Sequence, residues 1–280
     1  MENGLYIVAT PIGNLNDISS RALSVLKEAQ IIACEDSRVT KKLFALLGIS
    51  HDKKFISYHD HNEEECAPYI VELLESGNTV ALVSDAGSPL ISDPGYKLVK
   101  KCREVGVKIF AVPGASAVIC ALQISGLPTN RFMFAGFIPN KDSAREKLFN
   151  ELKNLDSTLV FYETAPRILK TLPVMKKYFG TREIAVAREI TKIYEECKNG
   201  SVDELLAYFT EHQPKGECVI MVAPPNDKEN ISSDELEQKI KNALSTTSLK
   251  DVAKNLSIEL NMNKNEIYQM GLKIKNELES

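Results

Sequence analysis

Short apolar runs alternate with amphipathic segments throughout the first half of the chain. The apolar runs include GLYIVAT, AQIIACED and NTVALVSDAG, and segments such as VTKKLFALLGI and APYIVELLESG place their apolar residues at helical spacing. This alternation predicts a mainly parallel β-sheet with helices on both faces. Such sheets bind ligands outside the carboxyl ends of their strands. The candidate loops are therefore residues 10–14, 34–38, 59–63, 85–95 and 112–116.

The second half has a different pattern. RFMFAGFIP, STLVFYETAP, REIAVAREIT and ECVIMVAPP are typical of strands, with helices between some of them. Their spacing favours a sheet with mixed pairing over strict strand–helix–strand order. The sequence thus predicts an N-terminal α/β domain at 1–117, a second α/β domain at 118–225 and a helical extension at 231–280, with the first boundary between Ala117 and Leu127.

The helical extension follows a polar segment, APPNDKENISSDE, which is typical of a linker. Two amphipathic helices are expected there, with apolar faces formed by Leu249, Val252, Ala253 and Leu256, and by Ile267, Met270, Gly271 and Ile274. The pair is similar to a helix-turn-helix. A dimer clasp, a docking element and a helical cap packed on the core fit the pattern as well.

Composition limits the classes of protein. The 280 residues are 44% hydrophobic and 26% charged, as in globular proteins, and no apolar run approaches the length of a membrane span. The N-terminus lacks the basic region of a signal peptide. The six cysteines are scattered, without the spacing of a metal site, as expected of buried thiols in a cytoplasmic protein. The net charge of −4 restricts any nucleic-acid contact to local basic patches.

The segment VSDAGSPLISDPG carries the densest set of unusual residues. A buried strand delivers Asp85 to the edge of the sheet, and Gly87 allows a ligand to approach the backbone. Asp93 adds a second acid, and an acid at a strand end is suited to bind ribose hydroxyls. A second segment, VPGASA, offers the small residues Gly114 and Ala115, while Ser116 is a candidate helix cap.

Common nucleotide motifs are missing from the sequence. The turn Thr10–Asn14 lacks the glycines of G-x-G-x-x-G, which argues against a nicotinamide enzyme. No G-x-x-x-x-G-K-[ST] is present, so nucleoside triphosphate hydrolysis has no support.

Together, VATPIGNLNDIS, ACEDSRVTKKLF, VSDAGSPLISDPG and VPGASA resemble the signatures of the tetrapyrrole methylase superfamily, from about Leu5 to about Pro224. Within it, they are most similar to the branch that methylates the 2′-hydroxyl of a cytidine in small-subunit (16S) ribosomal RNA. One position departs from that pattern. The family's Pro-His-Arg is replaced by Pro166-Arg167, so an essential imidazole is not expected there.

The resemblance implies two α/β domains, a homodimer, and S-adenosylmethionine bound in the cleft between the domains. It implies free small-subunit ribosomal RNA, or the assembled subunit, as the partner. The cofactor contacts that it implies are Pro11, Asp85, Ala86, Gly87, Ser88, Ile91, Asp93, Pro113, Gly114, Ala115, Ser116, Tyr162, Ala187 and Arg188.

Transfer of a methyl group to a ribose hydroxyl needs in-line positioning and a proton acceptor, but no metal. The candidate catalytic residues are Glu35, Asp36 and His61, because they follow predicted strands. Mutual repulsion between Glu35 and Asp36 is expected to raise the pKa of one of them. The candidate substrate-binding residues are Arg38, Lys41 and Arg167, which could bind phosphates.

Two alternatives stay open on the sequence. A methylase of a tetrapyrrole precursor or of the diphthamide pathway would share the cofactor loops, and a polycarboxylate tetrapyrrole would require a site lined with arginine. A non-catalytic RNA-binding or ribosome-assembly module would use the helical extension as its reader, although the cofactor-type loops argue against it.

Overall fold

The computed structural model of the chain describes residues 1–225, 233–245, 247–259 and 263–279. The chain divides into two compact units, Met1–Pro224 and Pro225–Ser280. None of the helices in the described ranges is long and apolar enough to cross a membrane. The first unit holds both of the sheets described below, and its division near residue 117 stays a prediction.

The first sheet has five parallel strands in the order β3-β2-β4-β1-β5, as the alternation of apolar runs predicts. Its strands are β1 (Gly4–Val8), β2 (Ile31–Cys34), β3 (Lys54–Ser57), β4 (Thr79–Val83) and β5 (Ile109–Val112). The helices are α1 (Ser20–Glu28), α2 (Ser37–Leu46), α3 (Glu63–Glu75), α4 (Tyr96–Glu104) and α5 (Ala117–Ile124).

Both faces of this sheet are covered, because successive strand side chains point to opposite faces. Leu5 and Leu82 pack in one apolar cluster, while Tyr6 and Val83 pack in the other. Every residue of β4 is buried, which places this strand at the centre of the sheet. The sheet therefore holds its carboxyl edge rigidly, and the candidate loops leave from that edge.

The second sheet has the order β6-β7-β10-β8-β9 and is mixed, as predicted. Its strands are β6 (Phe132–Phe137), β7 (Thr158–Thr164), β8 (Ile184–Arg188), β9 (Glu196–Gly200) and β10 (Glu217–Val222). Only β6 and β7 run parallel among its described pairs, and β10 lies antiparallel between β7 and β8. The associated helices are α6 (Asp142–Leu152), α7 (Ile168–Phe179) and α8 (Val202–Glu211).

The described residues of the second unit form three helices with a core of their own. They are α9 (Ser233–Leu244), α10 (Leu249–Glu259) and α11 (Lys264–Glu279). The buried core includes Val252 and Ile267 from the two predicted apolar faces, and also Ile240 from α9. A Cβ at Gly271 of α11 would lie 2.5 Å from the Leu249 side chain of α10, so α10 and α11 pack closely. Residues 226–232 of the predicted linker, and Asn261 of the predicted turn, lie outside the described residues.

Candidate functional site

Three of the candidate loops are joined by hydrogen bonds at the carboxyl edge of the first sheet. The Thr10 N–H donates to the Gly87 carbonyl (2.8 Å), and the Gly87 N–H donates to the Thr10 carbonyl (3.1 Å). The Ser88 hydroxyl donates to the Ala115 carbonyl (3.2 Å). Loops 10–14, 85–95 and 112–116 therefore form one connected surface, called the floor below.

The close fit of these loops explains their small residues. A side chain at Gly114 would bring its Cβ to 3.0 Å from that of Ala9, and Gly87 has a φ of +79° that favours glycine. Leu90 and Ser92 also have positive φ, at 71° and 65°. A side-chain-bearing residue pays about 1–2 kcal/mol for this conformation, and such strain is concentrated at functional sites.

A cavity of about 330 Å³ lies between the floor and the second sheet, within the usual size range of ligand sites. The part of its lining that comes from the first sheet and its loops is Ile12, Glu35, Asp85, Ala86, Gly87, Ser88, Ile91, Ser92, Asp93, Ser116 and Ala117. The part that comes from the second sheet and its loops, called the wall below, is Phe137, Tyr162, Glu163, Glu189, Ile190, Lys192, Glu217, Cys218 and Val219.

The lining is strongly acidic. It holds six carboxylates, among them Glu35, Asp85 and Asp93, but only one lysine and no arginine among the described lining residues. The lysine, Lys192, is bound to Glu189 at 2.9 Å. Burial, followed by neighbouring carboxylates, raises the pKa of Glu35, while burial dominates the raised pKa of Asp85 and of Asp93. A cation in the cavity would relieve this repulsion.

Glu35 and Asp36 lie in opposite environments: the pKa of one of them is raised as expected, but the main causes do not include the other. The raised pKa of Glu35 comes from burial, Asp85 and Asp93. Asp36 instead accepts hydrogen bonds from the Arg38 side chain and backbone, which hold its pKa at about 2. Asp36 caps α2, and its own N–H donates to Asp85 (3.1 Å). Only Glu35 of the pair lines the cavity.

Ser116 precedes α5, but its side chain makes no capping hydrogen bond. Ser116 therefore occupies the predicted N-cap position of α5, but its side chain lines the cavity instead of capping the helix. Tyr162 also lines the cavity, with the rings of Phe134 and Phe137 packed edge-on against it at 4.8 and 5.2 Å. Burial raises the pKa of Tyr162 to about 12, so its phenol stays neutral at physiological pH.

Several predicted site residues do not line the cavity. Pro11, Pro113, Gly114 and Ala115 lie within the floor loops but are not among the residues that line the cavity. Ala187 is buried in the apolar cluster under Tyr162, and the Arg188 side chain pairs with Glu196 at 2.6 Å. The roles assigned to these residues from the resemblance stay predictions.

The remaining predicted polar residues also lie off the lining. His61 is exposed, with its ring 6.0 Å from that of His59, and the Lys41 ammonium lies over the ring of Phe55. Arg167 is largely engaged: it pairs with the buried Glu163 at 3.2 Å and donates to the carbonyls of Ile138 and Pro139. Their catalytic and substrate-binding roles stay predictions.

Sequence reasoning missed much of the wall as a lining surface. Phe137 and Ile190 follow the expected rule, because they lie at or beyond the carboxyl ends of β6 and β8. Glu217, Cys218 and Val219 begin β10, which runs antiparallel to its neighbours and so brings its amino end to the cavity. The antiparallel direction of β10 is the feature that could have predicted these three residues as part of the lining.

The site fits S-adenosylmethionine. The ligand carries a sulfonium and an ammonium group, and an acidic lining attracts both. The glycines of the floor leave its backbone accessible to the flat adenine ring of the ligand.

Comparison with known proteins agrees with this geometry. A family model described as Tetrapyrrole (Corrin/Porphyrin) Methylases matches residues 4–206. A Rickettsia prowazekii protein named ribosomal RNA small subunit methyltransferase I is 50% identical over 223 residues, which cover 80% of this chain and 79% of that protein. A protein of the same name from Synechocystis sp. is 38% identical over 275 residues, or 97% of this chain and 98% of that protein.

The solved structure of diphthine synthase matches with a TM-score of 0.61 at 16% identity, covering 78% of this chain and 89% of that chain. This likeness concerns the fold alone. The family model and the two sequence relatives go further, and they confirm the resemblance found in the motifs: the chain belongs to the tetrapyrrole methylase family.

Proposed function

We propose that this methyltransferase transfers the methyl group of S-adenosylmethionine to the 2′-hydroxyl of a cytidine in small-subunit ribosomal RNA. The names of the sequence relatives support the RNA substrate, and the motif resemblance supports the cytidine ribose as acceptor. The observation that carries the proposal is the acidic cavity beside the floor, since it suits a cationic donor and a neutral hydroxyl acceptor.

S-adenosylmethionine is the methyl donor of this family, and when bound it supplies an electrophilic methyl group on a sulfonium. The floor would hold its flat and polar parts through backbone groups. Asp85 and Asp93 would face its positive charges, and Tyr162 would cover it from the wall. Binding would leave both carboxylates ionised, because a nearby cation lowers the pKa of an acid.

Glu35 is the candidate acceptor for the proton of the ribose hydroxyl. It lines the cavity, and its raised pKa moves it toward the range in which a carboxylate is an effective base. As the oxygen forms its bond to the methyl carbon and the carbon–sulfur bond breaks, the hydroxyl proton would pass to this carboxylate. Asp36 would act indirectly, by pairing with Arg38 and by donating its N–H to Asp85.

Phosphates of the RNA would be bound outside the acidic cavity. The Arg38 side chain is 89% exposed, and it lies near the cavity through Asp36 and Asp85. Lys41, one helical turn further along α2, is exposed as well. These two residues are stronger candidates than Arg167, whose side chain is only 24% exposed and is bound to Glu163 and to two carbonyls.

A tetrapyrrole precursor is the less suitable acceptor. Its many carboxylates would meet six acidic residues, and the described lining offers no arginine to bind them. The same comparison does not separate RNA from the acceptor of the diphthamide pathway, so that alternative belongs in the assay. A non-catalytic assembly module would have no use for the acidic cavity and the strained floor.

We also propose that the protein acts as a homodimer in the cytoplasm. The resemblance supports the dimer, and a ribosomal substrate supports the location. Light scattering of the purified chain measures the first: a mass near twice 31.1 kDa is expected, and a monomer would contradict it.

The test of the function is methyl transfer from labelled S-adenosylmethionine to purified small ribosomal subunits, to naked small-subunit RNA, to uroporphyrinogen and to elongation factor 2 carrying the diphthamide precursor. Label is expected only in the ribosomal substrates. Mass mapping of the labelled RNA should locate one methylated cytidine ribose. Label in uroporphyrinogen or in the protein substrate, with none in RNA, would contradict the proposal.

A further inference from the structure

The loop after β8 ends in two unusually exposed apolar side chains. Ile193 is 93% exposed and Tyr194 is 75% exposed, more than any other large hydrophobic residue of the described part of the chain. Burying apolar surface is favourable, so side chains of this kind on a soluble domain mark a contact surface when the loop that presents them is rigid.

Hydrogen bonds within the loop hold it in one conformation. The Thr191 N–H donates to the Glu195 carboxylate (2.6 Å). Two successive turns follow: the Lys192 N–H donates to the Glu189 carbonyl, and the Glu195 N–H donates to the Lys192 carbonyl. Glu189 and Thr191 both have positive φ, at 50° and 67°. A loop that keeps strained backbone at two residues is held in place by its surroundings.

The loop is also anchored against the floor. A side chain at Gly13 would place its Cβ 2.6 Å from the Lys192 side chain, so the stem of this lysine lies directly on the Thr10–Asn14 turn. Ile190 and Lys192 line the cavity themselves. Ile193 and Tyr194 directly follow the lining residue Lys192 and are exposed, which places them at the rim of the cavity.

We infer that the Tyr194 ring, supported by Ile193, stacks on an unpaired base of the RNA next to the methylated nucleotide. This inference rests on the proposed function and names the contact that its substrate makes at the rim. Sequence-specific RNA proteins bind single-stranded bases on exposed aromatic rings, and every base offers such a ring a flat face.

The surroundings favour a base over a phosphate. Lys192, the one cation of the loop, is paired with Glu189, and Glu195 adds a further acid. These carboxylates would repel the RNA backbone and leave the neutral base as the part of the nucleotide that approaches Tyr194.

The size of the patch disfavours an interface between copies of the chain. A stable interface buries about 800 Å² on each partner, whereas one aromatic side chain supplies about 150–250 Å². One tyrosine and one isoleucine match a stacked base better than a subunit interface.

The first experiment compares Tyr194→Ala and Tyr194→Phe with the wild-type chain on small ribosomal subunits. Stacking on one base is worth about 1–3 kcal/mol, so Tyr194→Ala should raise the KM for the ribosomal substrate about 5- to 150-fold. Tyr194→Phe keeps the ring and should stay within about twofold. The dissociation constant for S-adenosylmethionine, measured by calorimetry, should not change in either variant.

The second experiment uses the absence of tryptophan from this sequence. Tyr194→Trp introduces the only indole of the full chain, and its fluorescence should be quenched when small-subunit RNA binds. The matched control is Tyr69→Trp. Tyr69 is exposed on α3 and contacts Lys54, which begins β3 at the opposite edge of the first sheet, so its indole should not respond.

An unchanged KM in Tyr194→Ala, or equal quenching in both tryptophan variants, would overturn the inference. So would a change in molar mass by light scattering in Tyr194→Ala, because Tyr194 would then belong to an interface between copies. Failure of the wild-type chain to methylate ribosomal RNA is a separate outcome that removes the proposed function. In that case the fluorescence quenching experiment still tests the stacking contact, because quenching requires RNA binding but no methyl transfer.

Discussion

Two adjacent carboxylates at the end of β2 show how much the surroundings of a side chain decide its chemistry. Glu35 faces the cavity among other acids, whereas Asp36 caps α2 and is neutralised by Arg38. Sequence reasoning identified the pair but could not divide the two roles. The contact of Asp36 with Arg38 is local, but the burial of Glu35 and its repulsion by Asp85 and Asp93 depend on residues that are distant in sequence.

We predict that Glu35→Gln lowers kcat about 100-fold at saturating cofactor, since a positioned base contributes about 10²–10⁴-fold to proton transfer. Asp36→Asn keeps an acceptor for the cap and should retain kcat within about threefold. Methyl transfer to small ribosomal subunits measures both, and circular dichroism checks that the variants are folded. Near-normal turnover of Glu35→Gln would remove Glu35 as the base.

We predict that Asp93→Asn makes the cofactor-free protein more stable at pH 7. The folded pKa of Asp93 is raised above its ordinary value of 3.8, so the cost of ionising it in the folded state builds up as the pH rises above 3.8 and is fully present above the folded pKa. The amide removes this cost and should raise Tm by about 2 °C. The gain should shrink as the pH falls toward 3.8, where the carboxyl becomes protonated in both states.

The same substitution should weaken S-adenosylmethionine binding about tenfold, because a contact with a charged partner is lost. The control is Asp156→Asn, which removes an exposed carboxylate paired with Arg131 and should change neither Tm nor cofactor binding. Equal Tm values for Asp93→Asn and wild type across this pH range would show that the cavity does not penalise the carboxylate.

At the scale of elements, α4 depends on the loop that precedes it. Gly95 starts this helix with a φ of +141°, and a Cβ there would lie 2.7 Å from Leu90 and 3.0 Å from Leu82. Gly106, just beyond the other end, also has positive φ (+75°) but has no atom within 4 Å of an added Cβ. Both glycines have positive φ, but that of Gly95 lies outside the left-handed helical region, and the space around the two residues also differs.

We predict that Gly106→Ala costs about 1 kcal/mol of unfolding free energy, from the backbone alone. Gly95→Ala should cost about 1–3 kcal/mol more, because overpacking is added to a φ that lies outside the left-handed helical region. Urea denaturation with an unchanged m-value measures the difference. Equal losses of unfolding free energy in the two variants would mean that Leu90 moves aside without cost, and that this part of the floor is less tightly packed than its contacts indicate.

Elements with apolar patterns could be predicted from the sequence, and elements held only by their neighbours could not. The runs around β1, β2 and β4 are buried in the structure as their composition predicts. The strand β9, with the sequence ECKNG, has no apolar pattern and forms at the sheet edge by pairing with β8 along five residues. The floor followed from motifs local in sequence, whereas much of the wall depends on the direction of β10.

At the scale of the whole molecule, the described residues that line the cavity all belong to the first unit. The second unit has its own buried core, which includes Leu236, Val252 and Ile274. We predict that deletion of residues 225–280 leaves the dissociation constant for S-adenosylmethionine within about twofold. Calorimetry on the shortened chain is the measurement, and a loss of cofactor binding from a folded product would place part of the cofactor site in the deleted segment.

The three floor loops are tied together mainly by main-chain groups, as the exchange between Thr10 and Gly87 shows, whereas the opposite face of the cavity is made of side chains carried by the second sheet. Hydrogen bonds between main-chain groups persist through most substitutions, whereas every substitution in a surface made of side chains changes that surface. Substitutions at wall residues such as Phe137 and Glu217 should therefore change the shape and charge of the cavity while leaving the floor, our proposed main surface for the methyl donor, intact.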